Sequence, residues 1–222
     1  MIALEGIDGA GKTAVARALA QRLRADGVRA EYRTRSQATV SDPRAQSELD
    51  RLRGLIWRSK ADEPPRDLLG THYSLFLISA WFSAVEREVL PALRERDIVA
   101  VFDGWYYRTV AKAAVRGGLD VAWLSSLFDH VAEPDRVVML DTAPVVAWRR
   151  RGDFKASELG RWDGFEGSEF EAYCAYQTRI RAQLLRFAAS LGWLVVEPDP
   201  DMTVDEVAGV VHEQVTEASQ SA

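Results

Sequence analysis

The run Gly6-Ile7-Asp8-Gly9-Ala10-Gly11-Lys12-Thr13 puts a lysine and a hydroxyl at the end of a glycine-spaced turn, in the GxxxxGK[ST] order that cradles a polyphosphate. Glycines allow successive backbone N–H groups to turn inward as a nest of donors. A helix that follows aims the positive end of its dipole at the same point. In such a turn Lys12 reaches the β- and γ-phosphates of ATP and the Thr13 hydroxyl holds Mg²⁺, with Gly6, Asp8, Gly9, Ala10, Gly11 and Ala14 closing around the phosphates. The flanks are what the chemistry needs: an apolar strand, Ile2 to Glu5, lies before the turn and a helical pattern, Ala14 to Arg24, after it.

These residues must be positioned by a scaffold, and the chain alternates strand-like and helix-period segments, the signature of parallel strands with crossover helices. Five buried strands are expected at Ile2 to Glu5, Val28 to Arg33, Ile98 to Phe102, Val137 to Asp141 and Trp193 to Glu197. Helices are expected at about 12–25, 44–60, 71–96, 119–131, 143–150, 168–191 and 203–218, with Pro91 bending the third. In an open parallel sheet ligands collect at the carboxyl ends of the strands. There the second strand ends in Arg33-Thr34-Arg35, the third in Asp103, and the fourth in Asp141 ahead of Arg149-Arg150-Arg151. Cations to hold phosphate oxygens and a carboxylate to position Mg²⁺ are the inventory for phosphoryl transfer. Asp141 reads equally as a functional group and as a cap for the helix that follows.

Composition narrows the classes. The 222 residues, 47% hydrophobic and without a linker, fit one domain, with disorder expected only after Glu217. A net charge of -5 argues against a partner that is a nucleic-acid polymer. No run of eighteen apolar residues suggests a membrane span. A lone cysteine, Cys174, and a start that is strand rather than a basic and then apolar leader point to a cytoplasmic setting. His72, His130 and His212 are scattered and show no metal-ligand spacing.

The opening Ala3-Leu4-Glu5-Gly6-Ile7-Asp8-Gly9-Ala10-Gly11-Lys12-Thr13 resembles that of the thymidylate kinase family, Phe-Glu-Gly-Ile-Asp-Gly-Ala-Gly-Lys-Thr. Thr34-Arg35 falls at the family's Thr-Arg-Glu-Pro. The stretch from Val89 to Leu93 precedes the place of its Asp-Arg-Tyr, Leu140-Asp141 with Pro144 resembles its Leu-Asp-Val-Pro-Pro, and Trp148 to Phe170 fits its arginine-bearing lid. The resemblance implies an α/β fold of the P-loop type, a three-layer α/β/α sandwich with a five-stranded parallel sheet and a helical lid over about 149–167. It also implies ATP and Mg²⁺ on the phosphate loop, a small phosphate acceptor opposite, and a homodimer packed through long helices. Asp8 would lie near the acceptor sugar hydroxyl, Arg35 on the acceptor phosphate, and Asp103 at the Mg²⁺ and phosphate centre. Members without an arginine inside the loop supply one from the lid. Gly9 stands at that position, so Arg150, Arg151 and Arg161 are the candidates, ahead of Arg149 and Lys155.

Departures fall on the acceptor side. The Asp-Arg-Tyr triplet is Asp103-Gly104-Trp105, so a cation that grips the acceptor phosphate is missing, and Arg108 is the candidate to compensate. The family's base-reading arginine has no counterpart at Ala80 or Trp81, while Trp81 and Trp105 could stack on a ring or belong to the core. A phosphate acceptor needs only positioning, whereas an alcohol needs a general base, for which Asp103 is the first nominee and Asp8 the second. The leading reading is therefore transfer of the γ-phosphate of ATP to a nucleoside monophosphate such as dTMP. The alternatives are a kinase for a hydroxyl of a nucleoside or specialised metabolite, and a nucleotide-binding switch. The switch fares worst, because the chain has no asparagine for a guanine-reading Asn-Lys-x-Asp motif.

Overall fold

Short runs of consecutive apolar residues suit strands covered on both faces, and four such runs, with the more polar Ala30-Glu31-Tyr32-Arg33 at one edge, pair in the computed structural model, which describes residues 1–64 and 67–220. They are β1 (Ile2–Glu5), β2 (Ala30–Arg33), β3 (Val99–Phe102), β4 (Arg136–Leu140) and β5 (Leu194–Val196), all parallel, in the order β2-β3-β1-β4-β5. β1 sits at the centre and is buried throughout. Each expected strand is present: β1 has the expected bounds, β4 is displaced by one residue toward the amino end, and β2, β3 and β5 are trimmed by one or two residues.

After β1 the chain crosses by α1 (Lys12–Ala25) to the β2 edge; every later crossover runs the other way. Because such crossovers are right-handed, α1 lies on one face and the later crossover helices on the opposite one. Those are α2 (Pro43–Ile56), α3 (Gly70–Ala84), α4 (Leu90–Glu95), α5 (Tyr107–Arg116), α6 (Val121–Ser126), α7 (Pro144–Arg151) and α8 (Glu169–Leu191). The last helix, α9 (Val204–Gln220), returns to pack on α1, completing a three-layer α/β/α sandwich. The reversal of direction opens a crevice between the carboxyl ends of β1 and β3, where ligands bind in folds of this type.

Four helix expectations change. The third helix is not one uniform α-helix up to Pro91. A π-turn at Val85–Val89 separates α3 from α4, and Pro91 falls in the first turn of α4, where its missing N–H costs nothing. The helices expected at 44–60 and 119–131 shorten to 43–56 and 121–126. α5 was not expected at all. The chain also stays helical past Glu217 to Gln220, which replaces the expected disordered tail; residues 221 and 222 lie outside the described residues.

Beneath the crevice an aromatic layer fixes the loop after β3. Trp105 is fully buried, edge-on to Phe82 at 4.8 Å and to Phe102 at 4.9 Å, and Tyr106 stacks on Phe128 at 4.4 Å. Each such ring contributes on the order of 1.5–3 kcal/mol by burial. Asp103 is thereby held at the foot of a rigid segment.

Candidate active site

The loop from Gly6 to Gly11 leaves β1 and enters α1 through Gly11, whose φ of 90° only glycine adopts without strain. Lys12 is folded back into the loop, donating to the carbonyls of Gly6 at 2.9 Å and Ile7 at 2.6 Å. Burial, and then the nearby charge of Arg108, pull its ammonium down to about 7, against the opposing pull of Asp8 and Glu5. Thr13 Oγ1 donates to Asp103 Oδ2 at 2.9 Å, so the two expected Mg²⁺ residues are adjacent. Asp103 also accepts from the Tyr32 hydroxyl at 2.8 Å and from the Arg35 N–H at 3.2 Å. One carboxylate and one hydroxyl are hard oxygen donors of the kind Mg²⁺ takes beside substrate phosphates. Among the described residues no cluster of three or more acidic, His or Cys ligands exists that would hold an ion without them.

Gly9 explains itself in space. A Cβ there would lie 3.2 Å from the Phe154 ring and 3.3 Å from Ala147 Cβ, because α7 and the lid pack directly on the loop. An arginine at this position would displace the lid. The three lid arginines expected to replace it point elsewhere. Arg150 donates to the Pro200 carbonyl at 3.0 Å, and Arg161 donates to the carbonyls of Phe165 and Gly167. Arg151 makes a bidentate pair with Glu158 at 3.0 Å for each bond, and stacks over Phe154 at 4.7 Å. Arg151 is thus one ring away from the loop, and no bond carries any of the three to it.

Opposite the loop lies a cavity of about 420 Å³ between α2, α3, α5 and the segment 155–163. Its size falls in the range of small-molecule sites, about 300–1,000 Å³. Asp8 stands at the boundary between loop and cavity. Its carboxylate pairs with Arg108 and, at 2.9 Å, with Lys112, and accepts from Gln177 Nε2 at 3.3 Å. Burial alone would raise its pKa, but Arg108, Lys112 and Lys12 outweigh that and hold it well below the usual carboxylate range. Arg35 also lines the cavity and donates to the Trp105 carbonyl at 3.0 Å. Burial and the charge of Arg108 bring it down to about 10.

Trp81 and Trp105 are corrections to the expected stacking surface. Both are buried in the core, Trp81 donating from Nε1 to the Arg35 carbonyl at 2.9 Å and packing edge-on to Trp57. They position Arg35 and the Asp103 loop instead of touching a ligand. Asp141 is neither a cap nor part of the cavity: it pairs with Arg181 of α8, with one bond at 2.7 Å, and the residue preceding α7 is Ala143.

Three features were not expected. Lys112 and Arg116 continue the face of α5 begun by Arg108, one turn apart each, and all three line the cavity. The i, i+4, i+8 spacing was there to be read, but three aromatics and a start without a side-chain cap obscured the helix. Glu5 is fully buried at the end of β1, accepting from the Trp105 N–H at 2.8 Å, while its Oε2 has no hydrogen-bond partner. Burial pushes its carboxyl above the ordinary range, opposed by Arg108 and Arg35. Finally, the lid is fastened to the segment after α2: Ser157 bonds Glu63 through both N–H and hydroxyl, Lys155 reaches the Arg58 carbonyl, Trp162 that of Pro64, and Lys60 pairs with Asp153.

Comparison with known proteins agrees with this architecture. Residues 4–158 match the family model described as thymidylate kinase. A thymidylate kinase of Cereibacter sphaeroides is 28% identical over 85% of this chain and 81% of its own length. One of Prosthecochloris aestuarii is 28% identical over 99% and 92%, and a probable thymidylate kinase of Archaeoglobus fulgidus 30% identical over 68% of each.

Proposed function

This chain belongs to the thymidylate kinase family, and from that premise we propose that it passes the γ-phosphate of ATP to the phosphate of a nucleoside monophosphate, dTMP or a related nucleotide, seated in the cavity above Asp8. The observation that carries this reading is the juxtaposition of the Thr13–Asp103 pair with a cavity lined by Arg35, Arg108 and Lys112. The first pair suits a nucleoside triphosphate with its metal, and the second set suits an anionic acceptor.

Bound Mg²⁺, held by Thr13 and Asp103 beside the phosphates, would neutralise charge on the transferring group. The chain's own residues do the rest. The backbone donors of the loop and the amino end of α1 orient the triphosphate, and Lys12 exchanges its two carbonyl partners for β- and γ-phosphate oxygens. A phosphate monoester, with a second pKa of about 6, is already a nucleophile at neutral pH, so the acceptor side has only to hold and aim it. Lid residues 149–167 close over the transfer. Within the lid Arg151 is the best placed to supply the charge absent at Gly9, once it leaves Glu158.

Transfer to an alcohol is the weaker reading. It would require Asp103 or Asp8 to accept a proton, yet three donors already occupy the first carboxylate and neighbouring cations hold the second well below the usual range. An assay of ADP release with a panel of nucleoside monophosphates and unphosphorylated nucleosides separates the two. Turnover confined to the monophosphates supports the proposal; turnover confined to the nucleosides ends it. Homodimerisation, carried by the family resemblance, and a cytoplasmic setting, suggested by the single Cys174, complete the reading. No helix among the described residues is long and apolar enough to cross a membrane.

A further inference from the structure

We propose that Arg108 and Lys112, presented by α5 one turn apart and held in register by Asp8, grip the acceptor phosphate together with Arg35, in place of the arginine missing at Gly104. The inference rests on the cavity being a monophosphate site. Lys112 is assigned a binding role, and Asp8 becomes a positioning residue that acts through two cations.

Four observations carry it. Arg35, Arg108 and Lys112 line one cavity and enter it from two elements, the end of β2 and the face of α5. Each keeps donors to spare. Arg108 spends one N–H on Asp8, and Arg35 spends one side-chain N–H on the Trp105 carbonyl, out of five each. Lys112 spends its contacts on Asp8 and, loosely at 3.5 Å, on the Ser157 carbonyl.

The third observation is steric. Gly104 has φ +151° and lies against Arg35: a Cβ there would stand 3.1 Å from Arg35 Cδ. A side chain at 104 and Arg35 in its present course therefore compete for the same space. The loss of the arginine at 104 and the path of Arg35 across the Asp103-Gly104-Trp105 backbone are one arrangement, which leaves the second cation to come from elsewhere. α5 is the element that delivers it.

The fourth is charge. Burial disfavours the charges of both Arg35 and Arg108, and the carboxylates Glu5, Asp8 and Asp103 sustain them, yet only Asp8 takes a side-chain bond from Arg108 and none takes one from the Arg35 guanidinium. A phosphate dianion is the ligand that would engage the remaining donors with charge-assisted bonds. Asp8 is also largely occupied, with three partners for about four acceptor sites. With Arg108, Lys112 and Gln177 on its oxygens, the carboxylate serves the cations before it serves a sugar hydroxyl.

The test uses the full chain with Mg²⁺ and a non-hydrolysable ATP analogue filling the loop. Calorimetry then measures the affinity of the nucleoside monophosphate that binds best in a panel of the common ones, and of its unphosphorylated nucleoside. Lys112→Gln should weaken the monophosphate about 10- to 100-fold, the scale of losing one bond to a charged group, and leave the nucleoside unchanged. Lys112→Arg should stay within about threefold of wild type, since the charge is kept. Equal weakening of both ligands, or an unchanged monophosphate affinity, overturns the proposal. Binding that depends on Lys112 without any ADP release on turnover leaves the grip standing and defeats the kinase reading. ADP release with a monophosphate whose KM ignores Lys112 does the reverse. If no monophosphate in the panel binds wild type, both fall.

Discussion

The two sides of the cleft are built by different means. The triphosphate side is almost all backbone and immediate neighbours: a loop of eight consecutive residues, the first turn of α1, and the Thr13–Asp103 contact. The acceptor side is assembled from side chains far apart in sequence, Asp8, Arg35, Glu63, Arg108, Lys112 and Gln177, on elements that meet only in the folded chain. Backbone donors depend on local conformation, which a few glycines and a lysine secure. A pocket of side chains can change its grip one residue at a time while the scaffold stays.

Disabling the triphosphate side should have the largest effect. Lys12→Ala is expected to lower turnover by about 10³-fold, the upper range for removing one preorganised charge stabiliser, while circular dichroism shows the fold intact. Near-normal turnover would remove the basis for the loop assignment. Arg151→Ala should lower kcat by about 10²-fold with ATP affinity nearly unchanged, because Arg151 pairs with Glu158 in the free protein and, on the proposed reading, serves only the transfer. A loss seen only in ATP affinity would assign it to binding.

On the acceptor side, Gly104→Arg sharpens the contrast. It restores the family's residue type, but its Cβ would press on Arg35 Cδ at 3.1 Å and the φ of +151° strains any side chain, so acceptor KM should rise about tenfold with the KM for ATP unmoved. A gain in acceptor affinity would mean that Arg35 can yield. The smallest effect concerns pH. In the free protein Lys12 titrates near 7 because burial disfavours its charge, and bound phosphate must favour that charge. Binding ATP then takes up a proton above pH 7, so affinity is fullest below 7 and falls as pH rises, by about tenfold between pH 6 and 8. Calorimetry in buffers of different ionisation enthalpy would detect the uptake. Its absence at pH 8 would show that Lys12 is already charged in the free protein.

What the sequence made legible follows the same division. The five strands, the loop, Asp103 and Arg35 announce themselves through consecutive apolar runs and short motifs, and their positions follow from parallel topology. α5 escaped because Trp105-Tyr106-Tyr107 are poor helix formers individually and become helix start and core only through packing on Phe82, Phe128 and Trp193. With α5 hidden, the four-residue spacing of Arg108, Lys112 and Arg116 could not be seen as a face. The two tryptophans stayed ambiguous for a related reason: their burial rests in part on neighbours distant in sequence, Trp57 and the Arg35 carbonyl for Trp81 and Phe82 for Trp105, which no local pattern encodes. The π-turn before Pro91 shows the same limit at the level of backbone, since nothing in the local pattern marks Val85–Val89 for it.

The fastening of the lid to the segment after α2 has a kinetic meaning. Ser157, Lys155 and Trp162 bind residues of the cavity wall, while Phe154, from the same stretch, rests against Gly9 of the phosphate loop. One strip of chain therefore borders both chambers, and any motion of it would be felt in both. Were release to require that motion, the speed at which the strip peels away would set a ceiling on how often the cycle can repeat.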